Sequence, residues 1–75
     1  MNVTKVLDCK GKICPEPIID IKNAMGPLKS GDVVEMQATD AGSVNDMASW
    51  SKRTGHKILE QKQDGNVYIF YVQKK

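Results

Sequence analysis

Nowhere in the chain do eighteen apolar residues run together, and the opening Met-Asn-Val-Thr-Lys-Val holds no apolar stretch long enough for a secretory signal. These two absences argue against membrane insertion and make the cytoplasm the expected location. There is no block of charge of one sign either: eleven basic residues are interspersed with nine acidic ones, for a net charge of +2. Nucleic-acid binding usually needs a clustered basic face, so the charge pattern argues against it. No internal repeat, low-complexity tract or linker breaks the sequence, and residues 1–75 read as a single domain. Histidine occurs once and cysteine twice, too few for a structural zinc site and too few to place a thiol, a base and an orienting group together. In a reducing cytoplasm, two cysteines read as thiols rather than as a structural disulfide.

What remains is a short soluble chain of 75 residues, 40% apolar and 27% charged, with room for one modest core. Such a domain has no interior for a large cofactor. None is expected, and its chemistry must sit near the surface.

Periodicity supplies the elements. Val3 to Cys9 reads as a strand with Leu7 inward, and Gly11 punctuates the turn after it. From Pro15, the apolar residues Ile18, Ile21, Met25 and Leu28 recur at three- and four-residue steps and form a helical stripe, which Gly26 and Pro27 help to end. Asp32 to Thr39 alternates Val34, Met36 and Ala38 against Val33, Glu35 and Gln37, a strand with one buried face. A second helix spans about Ser43 to Thr54. Ser43 and Asp46 form a variant capping box at its start and Gly55 stops it. Its buried stripe is read as Val44, Met47, Ala48 and Ser51, with Trp50 at the margin. His56 to Lys62 and Val67 to Gln73 are two more strands, joined through Asp64-Gly65-Asn66.

The order βαβαββ predicts an α+β fold. Right-handed crossovers place both helices on one face of a four-stranded mixed sheet, giving a two-layer sandwich. Lys5, Glu35, Gln37, Ile69 and Tyr71 are expected on the open face.

The segment Ile13-Cys14-Pro15-Glu16-Pro17 sets a thiol against the start of the first helix. Pro15 and Pro17 suit a first helical turn, whose amides have no intrahelical partner. Cys14 then falls at the N-cap, with its backbone narrowed by the following proline and its sulfur off the helix end. The helix dipole favours a thiolate there by about 0.3–1 kcal/mol, and one pKa unit is about 1.36 kcal/mol. The expected shift is therefore downward and well under one unit. Lys10 and Lys12 add to it and Glu16 opposes it, so a moderately reactive thiol is expected, suited to accepting and handing on cargo.

The eleven residues Leu7-Asp8-Cys9-Lys10-Gly11-Lys12-Ile13-Cys14-Pro15-Glu16-Pro17 resemble the L-D-x-x-G-x-x-C-P-x-P signature of the TusA/SirA (UPF0033) sulfur-carrier family. Ala38 to Ser43 and Thr54-Gly55-His56 resemble the segments flanking that family's second helix. The resemblance implies a sandwich similar to the C-terminal domain of bacterial translation initiation factor three. It also implies a small sulfur-relay protein in which Cys14 carries sulfane sulfur as a covalent persulfide. The sulfur would come from a cysteine desulfurase or rhodanese-like donor and pass to an acceptor protein, for tRNA thiolation, molybdenum cofactor assembly or sulfur oxidation. Asp8, Gly11, Pro15, Glu16 and Pro17 are then the motif residues supporting the thiol, and Lys10, Lys12 and Asp40 are loop or partner-contact positions.

Other residues admit plainer roles. Cys9 reads as a half-buried packing thiol or as a resolving partner for Cys14, Glu16 as a dipole partner or a proton-transfer group, and Asp40 as a turn carboxylate or as the residue that orients the Cys14 loop. Two further function classes stand beside the sulfur carrier. One is a nucleic-acid-binding or regulatory module using Lys52, Arg53 and Lys57, and the other is a thiol-redox module cycling Cys14 against Cys9.

Overall fold

The computed structural model describes residues 2–75. Its elements are β1 (Lys5–Cys9), α1 (Glu16–Met25), β2 (Val33–Ala38), α2 (Gly42–Thr54), β3 (Lys57–Asp64) and β4 (Val67–Gln73), the βαβαββ order the sequence predicts. The sheet order is β1-β2-β4-β3. β1 runs parallel to β2, and β4 pairs antiparallel with both β2 and β3. The crossover through α2 leaves a gap one strand wide between β2 and β3, and the hairpin returns β4 into it. Asp64 pairs with Val67 across the turn, where Gly65 supplies a φ of 60°.

One face of this mixed sheet carries the core. Cys9 from β1, Val34, Met36 and Ala38 from β2, and Phe70 and Val72 from β4 pack against Ile21 and Met25 of α1 and Met47 and Trp50 of α2. Both helices therefore cover the same side. Phe70 is fully buried at the centre of the sheet. An aromatic side chain removed from water in this way contributes about 1.5–3 kcal/mol.

The structure corrects several expectations. α1 ends at Met25, with Gly26 at its C-cap, so Leu28 reaches the core from the turn rather than from the helix. Pro27 has no amide to continue the ladder. In α2 it is Trp50 that is buried and Ala48 that is exposed, because the helix turns Ser43, Met47 and Trp50 toward the sheet. Lys5 does not lie on the open face. It pairs in parallel with Val34 and so shares the helix-covered side at an exposed edge, while Val6, 59% exposed, takes the open face beside Glu35. Val33 also belongs to the open face yet is buried. Glu35, Gln37, Ile69 and Tyr71 fall on that face as expected, half-buried, with the Lys62 ammonium 5.4 Å from the centre of the Tyr71 ring.

The topology also determines where chemistry can occur. β1 and β2 are parallel neighbours whose ends, Cys9 and Ala38, are paired. The loops leaving them therefore emerge together, and each leads into the start of a helix. Residues 10–15 and 39–41 meet at this end of the sheet.

Candidate functional site

The loop from β1 to α1 is held by a series of backbone anchors. Asp8 Oδ1 accepts the Lys10 N–H at 3.0 Å, the Lys12 N–H reaches the Cys9 carbonyl at 3.2 Å, and Thr39 Oγ1 accepts the Gly11 N–H at 2.9 Å. Gly11 has a φ of 82°, in the left-handed region that favours glycine. The Lys10 ammonium donates to Gln37 Oε1 at 2.8 Å, and Lys12 pairs with Asp20 at 2.6 Å. These two lysines brace the loop against β2 and α1, and neither acts on the Cys14 sulfur.

Asp40 joins the two loops. Its Oδ2 accepts the Cys14 N–H at 2.9 Å and its Oδ1 accepts the Gly42 N–H at 3.2 Å. It is both of the things its sequence position allowed: the turn carboxylate that holds the first amide of α2 and the residue that bonds the thiol segment. The Ser43 and Asp46 capping box does not form. Ala41 occupies the N-cap without a side-chain bond, while Ser43 Oγ is buried with no hydrogen-bond partner among the described residues. The helix begins ahead of Ser43, whose amide is already taken by the Asp40 carbonyl at 3.0 Å.

Cys14 lies one residue farther from α1 than expected. Pro15 is the N-cap, its carbonyl accepting the Ile18 and Ile19 amides, and Glu16 and Pro17 fill the first turn. Pro17 is buried and anchors that turn, and Glu16 is exposed. The Cys14–Pro15 peptide is cis. The Cys14 side chain is exposed, next to Ile13, whose side chain is 70% exposed.

The electrostatics reverse the sequence expectation for this thiol. Cys14 Sγ donates to Asp46 Oδ2. That hydrogen bond exists only in the protonated form, and with partial desolvation and the negative charges of Asp46 and Asp40 it raises the Cys14 pKa above the ordinary 9.0. Two residues outside the helix and facing a carboxylate, the sulfur is governed by Asp46 rather than by the α1 dipole. Cys9 is different: fully buried, it donates to Asp20 at 3.6 Å, and burial first, then the Asp20 charge, pushes its thiol up to about 11. That leaves it sealed in the core, which counts against its resolving a modified Cys14.

An open cleft of about 200 Å³ adjoins the exposed thiol, lined by Cys14, Pro15, Ile18, Asp46, Ser49 and Arg53. Sequence reading missed the last three. They stand at i, i+3 and i+7, one face of α2, and that spacing was the available signal. Only the packing of α2 beside α1 shows that this face looks onto Cys14. Arg53, exposed like Lys52 and Lys57, lines the cleft, and the His56 ring lies tilted against Trp50 with ring centres 5.2 Å apart, just ahead of β3.

Among the described residues, no helix is long and apolar enough to cross a membrane. The solved structure of a SirA-like protein from Desulfitobacterium hafniense superposes with a TM-score of 0.81 over 92% of this chain and 95% of that one, at 24% identity, and shares the fold. YrkI of Bacillus subtilis (strain 168) is 49% identical over 99% of both chains. The sulfur carrier protein TusA of Allochromatium vinosum is 38% identical over 91% of this chain and 90% of its own. The family described as sulfurtransferase TusA matches residues 5–74, nearly the whole of the sandwich and all of the cleft, and the chain belongs to that family.

Proposed function

We propose that the protein is a cytoplasmic sulfur carrier that holds sulfane sulfur as a persulfide on Cys14 and passes it to an acceptor protein. One observation carries this reading: of the two thiols, only Cys14 is exposed, and it opens onto a cleft that a second protein's sulfur can enter. The names of relatives that align end to end with the chain support the same role. Donors of the cysteine desulfurase or rhodanese-like type present an outer sulfur on a cysteine. Cys14 attacks that sulfur, the donor's S–S bond breaks, and a bond from Cys14 Sγ to the sulfur forms. The donor leaves as a thiol, taking up the proton that Cys14 gives up, so the exchange balances without an oxidant. Asp46, in contact with that proton, holds it until the donor's leaving sulfur is close enough to receive it.

The loop anchors serve the hand-over. With the Cys14 amide bound to Asp40 and the next residue a proline, a partner meets a segment that is already ordered and spends little binding energy on arranging it. The test is intact mass after exposure to a persulfide donor. Wild type and Cys9→Ser should each gain one sulfur atom that reductant removes, and Cys14→Ser should gain none. Sulfur acquired by Cys14→Ser would end the proposal.

A further inference from the structure

The cleft has two charged ends on one helix. Asp46 takes the Cys14 thiol hydrogen at one end, and Arg53, two turns along α2, lines the other with Ser49 between them. Arg53 enters no salt bridge among the described residues. The guanidinium is exposed to water, without a carboxylate partner among them, and borders the same cleft as the sulfur over an apolar floor of Pro15 and Ile18, so it is free to receive an anion formed there.

Resting on the persulfide reading above, we propose that Arg53 is the counter-ion of the loaded carrier: the outer sulfur, once attached and ionised, lies along the cleft against the Arg53 guanidinium. The chemistry of the two ends separates the two states. A thiol has a hydrogen to give, and a carboxylate is its best acceptor. An ionised persulfide has none, so Asp46, Asp40 and Glu16 all repel it, and Arg53 is the cation lining the same cleft. Lys12 is engaged with Asp20. An added sulfur needs about the space of one water, about 30 Å³, and the cleft of about 200 Å³ leaves an approach for the acceptor as well. Arginine remains charged at any working pH and offers a fork of donors to a diffuse anion, with the Ser49 hydroxyl available as a further donor.

The cycle follows. Loading moves the sulfur terminus from Asp46 toward Arg53. The acceptor's thiolate then attacks the outer sulfur and the S–S bond to Cys14 breaks. The electron pair returns to Sγ, which takes a proton from solvent and donates again to Asp46.

The experiment loads wild type, Arg53→Met and Arg53→Lys with inorganic polysulfide, confirms one added sulfur by mass, and follows the rate of alkylation of the outer sulfur against pH. In Arg53→Met the midpoint should rise by about half a unit, the size of one partly exposed charge pair, and Arg53→Lys should restore most of the difference. The midpoint of the unloaded thiol should stay where Asp46 sets it in all three proteins. Equal loaded-state midpoints in wild type and Arg53→Met would overturn the Arg53 assignment while leaving the carrier reading intact. Failure of wild type to take up sulfur at Cys14 would overturn both.

Discussion

Asp40 is the residue whose removal tests the architecture of the site most directly. Its two oxygens hold two amides, Cys14 N–H at 2.9 Å and Gly42 N–H at 3.2 Å, and so tie the thiol loop to the start of α2. Loss of a helix cap costs about 1 kcal/mol, and loss of one further hydrogen bond about 0.5–1.5 kcal/mol. Water replaces part of both at this exposed position, so Asp40→Ala should lose about 1–2 kcal/mol, and in a domain of this size each 1 kcal/mol lowers the melting temperature by about 4–8 °C. Asp40→Asn keeps one acceptor oxygen and should recover about half. Urea denaturation gives the energy, and hydrogen exchange at the Cys14 and Gly42 amides shows where the loss falls. The functional consequence should divide: sulfur acceptance from a protein donor slows because the loop is no longer pre-ordered, while alkylation of Cys14 by a small reagent does not slow, since Asp40 is one of the charges that hold the thiol protonated. An alanine variant that melts with wild type and keeps slow exchange at the Cys14 amide would refute the clamp.

Three other measurements bear on the same structure. Asp46→Asn should move the midpoint of Cys14 alkylation downward from its raised position, because the main cause of the shift is removed, and an unchanged midpoint would show that Asp46 does not control the thiol. Ser43→Ala should leave stability unchanged or raise it, since it deletes a buried hydroxyl without a partner. A loss of about 1 kcal/mol would instead restore the capping role the structure denies it. His56 is lowered from 6.5 by burial and by the nearby Lys74 and Lys75 charges, so below 6.5 the unfolded chain takes up the proton first and stability falls with falling pH. Replacing His56 with Gln should flatten the slope of stability against pH in that range, as read by denaturation at a series of pH values.

The local pattern of this chain was legible to the extent that local forces decide it. The alternation of Val34, Met36 and Ala38 marked a buried strand face, and all three are fully buried. Gly55 marked the end of α2 and adopts a left-handed φ of 84° there. The errors lie where distant residues compete. Ser43-x-x-Asp46 satisfies a capping rule four residues long, but the helix starts earlier, with Asp40 holding the Gly42 and Ser43 amides, and Asp46 turns to a sulfur 32 residues away in sequence. The sign of the Cys14 shift failed for the same reason: the proline-rich turn is visible in sequence, whereas the carboxylate facing the sulfur comes from another helix. Lys5 was assigned to the wrong face because a five-residue strand holds too few alternations to fix its phase, and pairing with β2 decides it.

The register slip between Ile58 and Glu60 in β3 has a consequence for the behaviour of the protein at high concentration. β3 is an outermost strand, and an unbroken row of outward amides would invite a second copy to add itself to the sheet. The extra residue at Leu59 bends that row out of line, and the charged side chains of Lys57, Glu60 and Lys62 along it would have to shed water before any stranger could align. On this edge of the sheet, the slip and the charges both stand against the addition of a second copy.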